Sequence, residues 1–236
     1  MSIYESHLHQ MQETLRTRLL TMGTRAEQAV DNACYALVHR DAEMARKVID
    51  GDSEIDAMEN EIDEHALSIL ACAQPVAKDL RFVISTVRMV LDVERIGDQA
   101  VHIARRAISL RKRAPSILIG DLESYGARSS MIVHNSMQSF QNNSVEQALE
   151  VCLNDADIVL QTEEISRKII DSVVEQSVDA YLGMHALLVV RALDRVCHRA
   201  LNIAEHTYFM VQGENIKHRL HRLRSEIQNR ADSDSG

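Results

Sequence analysis

The sequence contains few of the residues that make turns and sheets. Its 236 residues include 2 prolines, 8 glycines, no tryptophan and only 3% aromatic residues. Turns use glycine and proline, and strands favour aromatic side chains, so this composition argues against a sheet-rich fold. Hydrophobic residues make up 45% of the chain, which is enough to form a core. We therefore expect a small number of long helices.

An excess of positive charge, a long apolar run and closely spaced cysteines are also lacking. The formal net charge of −9 predicts no general affinity for nucleic acid or anionic membranes. No apolar run reaches the roughly eighteen residues of a membrane helix, and the first residues do not resemble a signal peptide. We expect a cytoplasmic protein without direct membrane insertion. Four cysteines without a CxxC pair favour reduced thiols that pack in the core, namely Cys34, Cys72, Cys152 and Cys197.

Apolar residues that recur every three or four positions predict helices throughout the chain. Asp50-Gly51-Asp52 predicts a kink or short turn in the second helix, and Pro115 marks a linker. For residues 214–236 we expect a short basic helix around 216–227 and a disordered end. The predicted helices span residues 4–40, 42–74, 78–110, 119–141, 145–178 and 180–212.

The second half of the chain repeats the first. Residues 39–45 align with 142–148 at an offset of 103, and Asp52–Ile55 aligns with Asp155–Ile158 at the same offset. Glu94–Ala104 aligns with Asp194–Ala204 at an offset of 100. Such a repeat predicts an all-α fold of two tandem, pseudo-symmetric three-helix bundles, over residues 1–113 and 117–213.

One stretch of the third predicted helix carries the strongest indication of chemistry. Residues spaced by four, four and three positions share a helix face, and here they are Glu94, Asp98, His102 and Arg105. This face continues an apolar stripe made of Leu80, Ile84, Val87 and Leu91. We assign the solvent-facing stripe instead to Arg81, Arg88, Asp92, Arg95, Gln99 and Arg106. The carboxylates are therefore not ordinary surface charges.

Carboxylates on the preceding helix complete a candidate metal site. Glu59 and Asp63 have the same ExxxD spacing as Glu94 and Asp98. If the two helices are antiparallel neighbours, Asp63 approaches Glu94 and four carboxylates face one place that requires a cation. Facing carboxylates hold iron or manganese inside bundles, and oxygen ligands also suit Mg²⁺. His102 favours a transition metal, such as Mn or Zn, over calcium.

An alternative interpretation of this first site is a pair of solvated helix faces, with Arg95 and Arg105 as neutralising charges. The corresponding stripe of the second half keeps potential ligands in Asp194, His198, Asn202 and Glu205. However, Thr162 and Ser166 stand where Glu59 and Asp63 map. We expect a weaker or different metal site in this half. Asn202 is as well explained by a hydrogen bond as by ligation.

Sequence motifs of enzymes are missing. The chain has no glycine-rich phosphate loop, no GxSxG, no HExxH, and none of the Glu-x-x-His pairs of di-iron bundles. We therefore predict that the protein is not an enzyme. A metal-storage protein or a carboxylate-bridged metalloenzyme built on a bundle is the alternative, and a helical adaptor without metal is a third.

The repeated stretches resemble the PhoU family, the regulators of bacterial phosphate uptake. Glu94-Arg-Ile-Gly-Asp98, followed by Ile103-Ala104, matches the family's E/DxxxD motif. Asp194-Arg-Val-Cys-His198, with Asn202-Ile-Ala-Glu205, is its second copy, and Gln74-Pro75 leads to Asp79-Leu80-Arg81 as in the family. The repeat order and lengths correspond over about residues 10–213.

The resemblance implies two three-helix bundles and a cytosolic regulator. PhoU-family proteins help the phosphate ABC transporter hold a sensor histidine kinase inactive when phosphate is ample. They contact the transporter's ATP-binding subunit and the kinase, and they commonly form homodimers. Some bind multinuclear iron clusters or other metals through the ExxxD stripes, a role that carries over to Glu59, Asp63, Glu94 and Asp98.

The sequence departs from the family pattern at several positions. His102 replaces the usual Asn, Arg105 stands where Glu is common, and His198 replaces the Asp of the second motif. These departures cast doubt on a second metal cluster. They also leave open a divergent PhoU-like adaptor for another transporter.

Overall fold

Helices form nearly all of the computed structural model, which describes residues 3–112 and 118–216, with side chains from His7 onward. The predicted linker around Pro115 and the predicted tail helix beyond Ile216 lie outside the described residues. Within those residues there is no strand, and no helix is long and apolar enough to cross a membrane. The helices are α1 (Ile3–His39), α2 (Ala42–Ala73), α3 (Ala77–Leu110), α4 (Ile119–Asn142), α5 (Val145–Leu153), α6 (Asp155–Val174) and α7 (Ala180–Gln212).

Several helix boundaries follow from local sequence signals. The Asp41 carboxylate accepts hydrogen bonds from the backbone N–H groups of Glu43 and Met44, both at 2.9 Å, and so begins α2 as an N-cap. Gln74, immediately before Pro75, adopts a left-handed conformation with φ 39° and ends the same helix. These boundaries confirm the predicted start and end of α2.

The two repeats differ in where their middle helix is interrupted. Of the kink or short turn predicted at Asp50-Gly51-Asp52, the turn is wrong, because α2 continues through these residues with Val48 and Ile55 buried on either side. The single helix predicted over 145–178 is also wrong, because it breaks at Asn154 and α6 ends at Val174. The Asn154 side-chain amide donates to the backbone carbonyls of Glu150 at 3.0 Å and Val151 at 3.4 Å. Such local bonds compete with the helical pattern.

One continuous apolar core runs through both bundles. Helix α1 contributes an apolar stripe in which Leu15, Leu19, Met22 and Ala26 are fully buried, whereas Ala29 is partly buried. Helices α1, α2 and α3 pack together, and α7 packs against α4, α5 and α6. The bundles meet along the pairs α3–α7 and α1–α4. At α1–α4 the backbones come close, since a Cβ at Gly126 would lie 2.7 Å from Cys34 Sγ.

The α3–α7 contact contradicts part of the predicted solvent stripe. Asp92 and Gln99 are buried, because α7 runs antiparallel across the face that carries them. Asp92 Oδ1 accepts hydrogen bonds from Arg199 at 3.2 Å and from Asn202 at 3.1 Å, and Asp92 Oδ2 lies 3.5 Å from His206 Nε2. A polar contact rather than solvent therefore occupies this side of α3.

The cysteines are all free thiols. Cys152 and Cys197 are buried, as predicted, and burial raises the pKa of the Cys197 thiol to about 11. Cys34 is half-buried. Burial, followed by the negative charge of Asp31, raises the pKa of its thiol to about 12. Cys72 is exposed, so the prediction of a packing role is wrong for this one residue.

Candidate metal-binding face

Carboxylates of α2 and α3 form one continuous acidic surface on the first bundle. On α2 they are spaced by four, three and four positions, so they fall on one stripe that faces the ExxxD pair of α3. We call this surface the acidic face. Its members are Asp52, Asp56, Glu59, Asp63, Glu94 and Asp98.

Glu94 lies at the centre of the acidic face. Burial is the largest cause that raises the pKa of its carboxyl to about 7, followed by the negative charges of Asp98, Glu59 and Asp56. Arg95 opposes this shift. At neutral pH this carboxyl therefore holds its proton far more readily than an ordinary glutamate, as expected of a group that is half-buried and also surrounded by like charges.

The other half-buried carboxyls of the face show the same crowding. Burial raises the pKa of Glu59, and the charges of Asp63 and Asp56 raise it further. Burial also raises the pKa of Asp52, together with Asp56 and Asp98. The face therefore carries more negative charge than its neighbouring cations neutralise, which favours binding of a further cation.

Asp63 differs from its neighbours in hydrogen bonding. Burial raises the pKa of Asp63, whereas for Glu94 and Glu59 the charges of nearby carboxylates add to the effect of burial. The Asp63 Oδ1 atom is buried and has no hydrogen-bond partner among the described residues. A buried carboxylate oxygen without a donor is energetically unfavourable unless a cation satisfies it.

Sequence reasoning missed two members of the acidic face. Asp52 was assigned to a turn, and Asp56 was not considered at all. The signal that identifies them is the continuation of the Glu59/Asp63 stripe by two further carboxylates toward the start of α2. A turn at Gly51 hides this continuation, because it places Asp52 outside the regular part of the predicted helix.

The remaining members of the predicted stripe lie along one edge. Asp98, His102 and Arg105 are exposed, and His102 and Arg105 both lower the pKa of Asp52. His102 lies about 12 Å along the helix axis from Glu94, at 1.5 Å per residue. Leu91, which precedes the carboxylates on the same stripe, is 44% exposed. The acidic face is therefore open to solvent.

Over residues 7–112 and 118–216, no three His, Cys, Asp or Glu side chains already converge tightly enough to hold a metal ion. The carboxylates of the acidic face are instead spread along two facing helices. Metal ligation at this surface therefore remains a prediction.

At the corresponding place in the second bundle, side chains of α4, α6 and α7 form a hydrogen-bond network. The Thr162 hydroxyl donates to Asp194 Oδ1 at 3.2 Å, and the Tyr125 hydroxyl lies 2.7 Å from Thr162 Oγ1. His198 Nδ1 lies 2.8 Å from the Asp194 carbonyl oxygen and 3.4 Å from Asp194 Oδ1. Tyr125, on α4, was not considered in the sequence analysis, and no spacing pattern links it to this site.

The second predicted stripe is not brought together as one site. Asp194 and His198 are neighbours, but Asn202 donates to Asp92 of α3 instead. Glu205 lies about 16 Å along the helix axis from Asp194, at 1.5 Å per residue. Hydrogen bonding is thus the role that the structure gives to Asn202.

Comparison with known proteins decides the family. A family model described as the PhoU domain matches residues 19–107 and 122–207, one match in each bundle. The chain belongs to the PhoU family. It is 32% identical over 206 residues to the "Phosphate-specific transport system accessory protein PhoU" of Serratia marcescens, covering 87% of this chain and 85% of that protein. The Escherichia coli K12 protein of the same name is 31% identical over 206 residues, at 87% and 86% coverage.

Solved PhoU structures confirm the predicted all-α, two-bundle fold. PhoU from Pseudomonas aeruginosa superimposes with a TM-score of 0.84 and 32% identity, over 87% of this chain and 99% of that one. The phosphate transport system regulatory protein PhoU from Streptococcus pneumoniae gives a TM-score of 0.80 and 25% identity, over 90% and 98%. Within this shared PhoU fold, the two bundles of the present chain have different chemistry at the same position.

Proposed function

We propose that this protein is an accessory protein of the phosphate-specific transport system and a negative regulator of phosphate uptake and phosphate-starvation signalling. The observation that carries the proposal is the similarity to relatives of that name across both bundles, at 32% identity over 85% of the Serratia protein. The role is that of a regulator rather than an enzyme. The long helices present surfaces for other proteins, and the sequence lacks a catalytic motif.

The finer part of the proposal concerns the partners. We infer an adaptor that contacts the ATP-binding subunit of the phosphate ABC transporter and the sensor histidine kinase, acts in the cytoplasm, and forms a homodimer. Support comes from the PhoU fold, together with exposed apolar side chains on α2, α3, α6 and α7 that a purely monomeric bundle does not require.

A metal ion fits the acidic face of the first bundle. Burial, followed by the repulsion of neighbouring carboxylates, raises the pKa of Glu94 and Glu59. A bound cation would relieve this repulsion and would also satisfy the buried Asp63 Oδ1. Glu59, Asp63, Glu94 and Asp98 would hold it, with Asp56 beside them. All are oxygen donors, which suit Mg²⁺, Mn²⁺ or iron. A metal here supplies positive charge that joins α2 to α3.

The second bundle does not fit a metal site of the same kind. Its carboxylate, Asp194, already accepts a hydrogen bond from Thr162 and lies beside His198. Ser166 and Thr162 replace the carboxylates of the middle helix. We therefore assign metal binding to the first bundle alone.

A genetic complementation experiment tests the regulatory role. A bacterial strain that lacks all its PhoU-family genes expresses phosphate-starvation genes constitutively, and this chain should restore repression in high phosphate. A starvation-promoter reporter measures the result. Persistent expression, with the protein present at normal level and its native transporter and kinase supplied, would contradict the proposal.

Elemental analysis tests the metal site separately. Protein purified without added metal should contain metal that is lost in the double variant Glu94→Ala, Asp98→Ala. The matched control is Glu146→Ala, Glu150→Ala, which removes an exposed i,i+4 carboxylate pair from α5 of the second bundle. Equal metal content in both double variants would refute the site. Turnover of bound metal with oxygen would instead support the metalloenzyme alternative.

A further inference from the structure

The second bundle carries an apolar groove that the proposed function does not use. It lies between the antiparallel helices α6 and α7 and has a volume of about 700 Å³. Its walls include Ile170, Val174, Met184 and Leu188, which are 51%, 74%, 49% and 38% exposed. Four large apolar side chains that are this exposed on adjacent helices indicate a surface that another molecule covers.

The repeat shows that the two bundles differ at particular positions of this surface, although the first bundle also exposes Leu80 and Leu91 on the equivalent stripe. Val174 corresponds to Ala71 at the offset of 103, and Leu188 corresponds to Arg88 at the offset of 100. The same comparison pairs Ile170 with Leu67, which is 65% exposed on the first bundle. The two bundles share one scaffold, so the difference belongs to the side chains and not to the packing of the fold.

The shape of the groove matches a helix. Gly183 lets α7 pack directly against α6, because a Cβ at this position would overlap the Val173 side chain. The lining residues of α7 extend from Ala180 to Asp194, which is about 21 Å at 1.5 Å per residue. A helix of about four turns, with apolar residues at i, i+3, i+4 and i+7, has this length and fills such a groove.

The polar end of the groove specifies the charge of its occupant. Arg191 lines this end, and among the described parts of the chain its guanidinium forms no ion pair or hydrogen bond. Asp194, the nearest acidic lining residue on the same helix, is already bonded to Thr162. The corresponding position in the first bundle is Leu91, so the guanidinium is not part of the shared scaffold. An unpaired guanidinium beside an apolar surface is complemented by a carboxylate.

We propose that the α6–α7 groove binds an amphipathic α-helix of a partner protein, with its apolar stripe between Ile170 and Leu188 and a carboxylate at the end of that stripe paired with Arg191. This preference for an apolar stripe that ends in a carboxylate applies to any protein that supplies the helix. It therefore goes beyond the regulatory role proposed above. The chain's own residues 217–236 are a poorer occupant, because their first eight residues contain Lys217, Arg219, Arg222 and Arg224 and no acid.

Two synthetic peptides test this binding directly. Both are 16-residue helical peptides with leucines at i, i+3, i+4 and i+7, and they differ only in a Glu or a Lys at the end of the leucine stripe. Fluorescence anisotropy with the full chain should show at least tenfold tighter binding of the Glu peptide. Arg191→Glu should reverse this preference, because the charge at the end of the groove is reversed.

Matched variants locate the peptide. Ile170→Asp should weaken binding of the Glu peptide at least tenfold, whereas Leu67→Asp, its repeat counterpart on the first bundle, should change it less than twofold. Both side chains are exposed, so both variants should fold, which circular dichroism verifies. Absence of binding, equal affinity for the two peptides, or equal effects of the two Asp variants would overturn the proposal.

Two further measurements identify a different occupant. Sedimentation velocity that shows a dimer for the unaltered chain and a monomer for Ile170→Asp would assign the groove to a second copy. Binding of the Glu peptide that occurs only after removal of residues 217–236 would assign it to the chain's own tail. Either result would overturn the proposal. Binding of the Glu peptide to the full-length protein, whatever its oligomeric state, shows that the groove is accessible and supports the proposal.

Discussion

Replacement of Glu94 by glutamine should stabilise the metal-free protein at pH 8, although most substitutions at a half-buried position destabilise. Burial and like charges raise the pKa of this carboxyl from 4.5 to about 7. The folded state therefore binds the proton more tightly than the unfolded state does. The stabilising contribution of this carboxyl is fully present below pH 4.5 and is lost as the pH rises toward 7. Glutamine cannot ionise, so the variant does not lose this stability at high pH.

The magnitude follows from the size of the pKa change. A rise from 4.5 to about 7 corresponds to at most about 3.4 kcal/mol, at about 1.36 kcal/mol per pH unit. Glu94 is partly exposed, so solvent screening reduces the expected gain to about 1 kcal/mol. For a chain of this length, such a gain raises Tm by about 2–4 °C. At pH 4 the difference between the two proteins should vanish, because both side chains are then uncharged.

Thermal and urea unfolding of chelator-treated protein at pH 4, 6 and 8 measures this effect. Glu64→Gln, which neutralises an exposed carboxylate of α2 outside the acidic face, is the control and should show no comparable pH dependence. Added metal should stabilise the unaltered protein more than Glu94→Gln. A Glu94→Gln protein that is less stable than the original at pH 8 would refute the electrostatic account of the acidic face.

Three variants and one thiol-labelling experiment test the packing. Asp92→Asn should lower the free energy of unfolding in urea by about 2 kcal/mol, because it weakens charged hydrogen bonds between α3 and α7; an unchanged urea midpoint would contradict this. Gly183→Ala should destabilise by about 1–3 kcal/mol, since its Cβ overlaps a branched valine. Gly23→Ala should cost less, because its Cβ meets the flexible end of a methionine; equal midpoints for the two variants would be inconsistent with these contacts. Ellman's reagent should react rapidly with Cys72 alone at pH 8, before unfolding; fast reaction of a second thiol would contradict the observed burial.

The sequence predicted most helices well because each has an apolar stripe of constant period. It failed where two helices carry the same local signals but differ in context. Gly51 lacks a side chain yet stays helical, since α2 packs on both α1 and α3. Asn154 breaks the equivalent helix through bonds of its own side chain. Propensity alone ranks glycine as the stronger helix breaker, so this outcome could not be read from composition.

The candidate site was only partly predictable for a similar reason. The ExxxD spacing identified Glu94 and Glu59 because it depends on one helix at a time. The register between helices is set by packing, so the sequence could not show that Asp56 acts on Glu94. Nor could it distinguish the buried face of α3 from the exposed one. Asp92 resembles a solvated residue until α7 is placed against it.

Asp92 and Glu94 are only two residues apart, yet they lie on nearly opposite sides of α3, because a helix turns once in 3.6 residues. One of these sides faces α2 across the acidic face, and the other is bonded to α7. A helix moves as a rigid unit, so a ligand that displaces α3 at the first contact also displaces it at the second. Occupancy of the acidic face and the arrangement of the second bundle are then thermodynamically linked. Such coupling is reciprocal: a partner held on the second bundle changes affinity at the acidic face by the same factor.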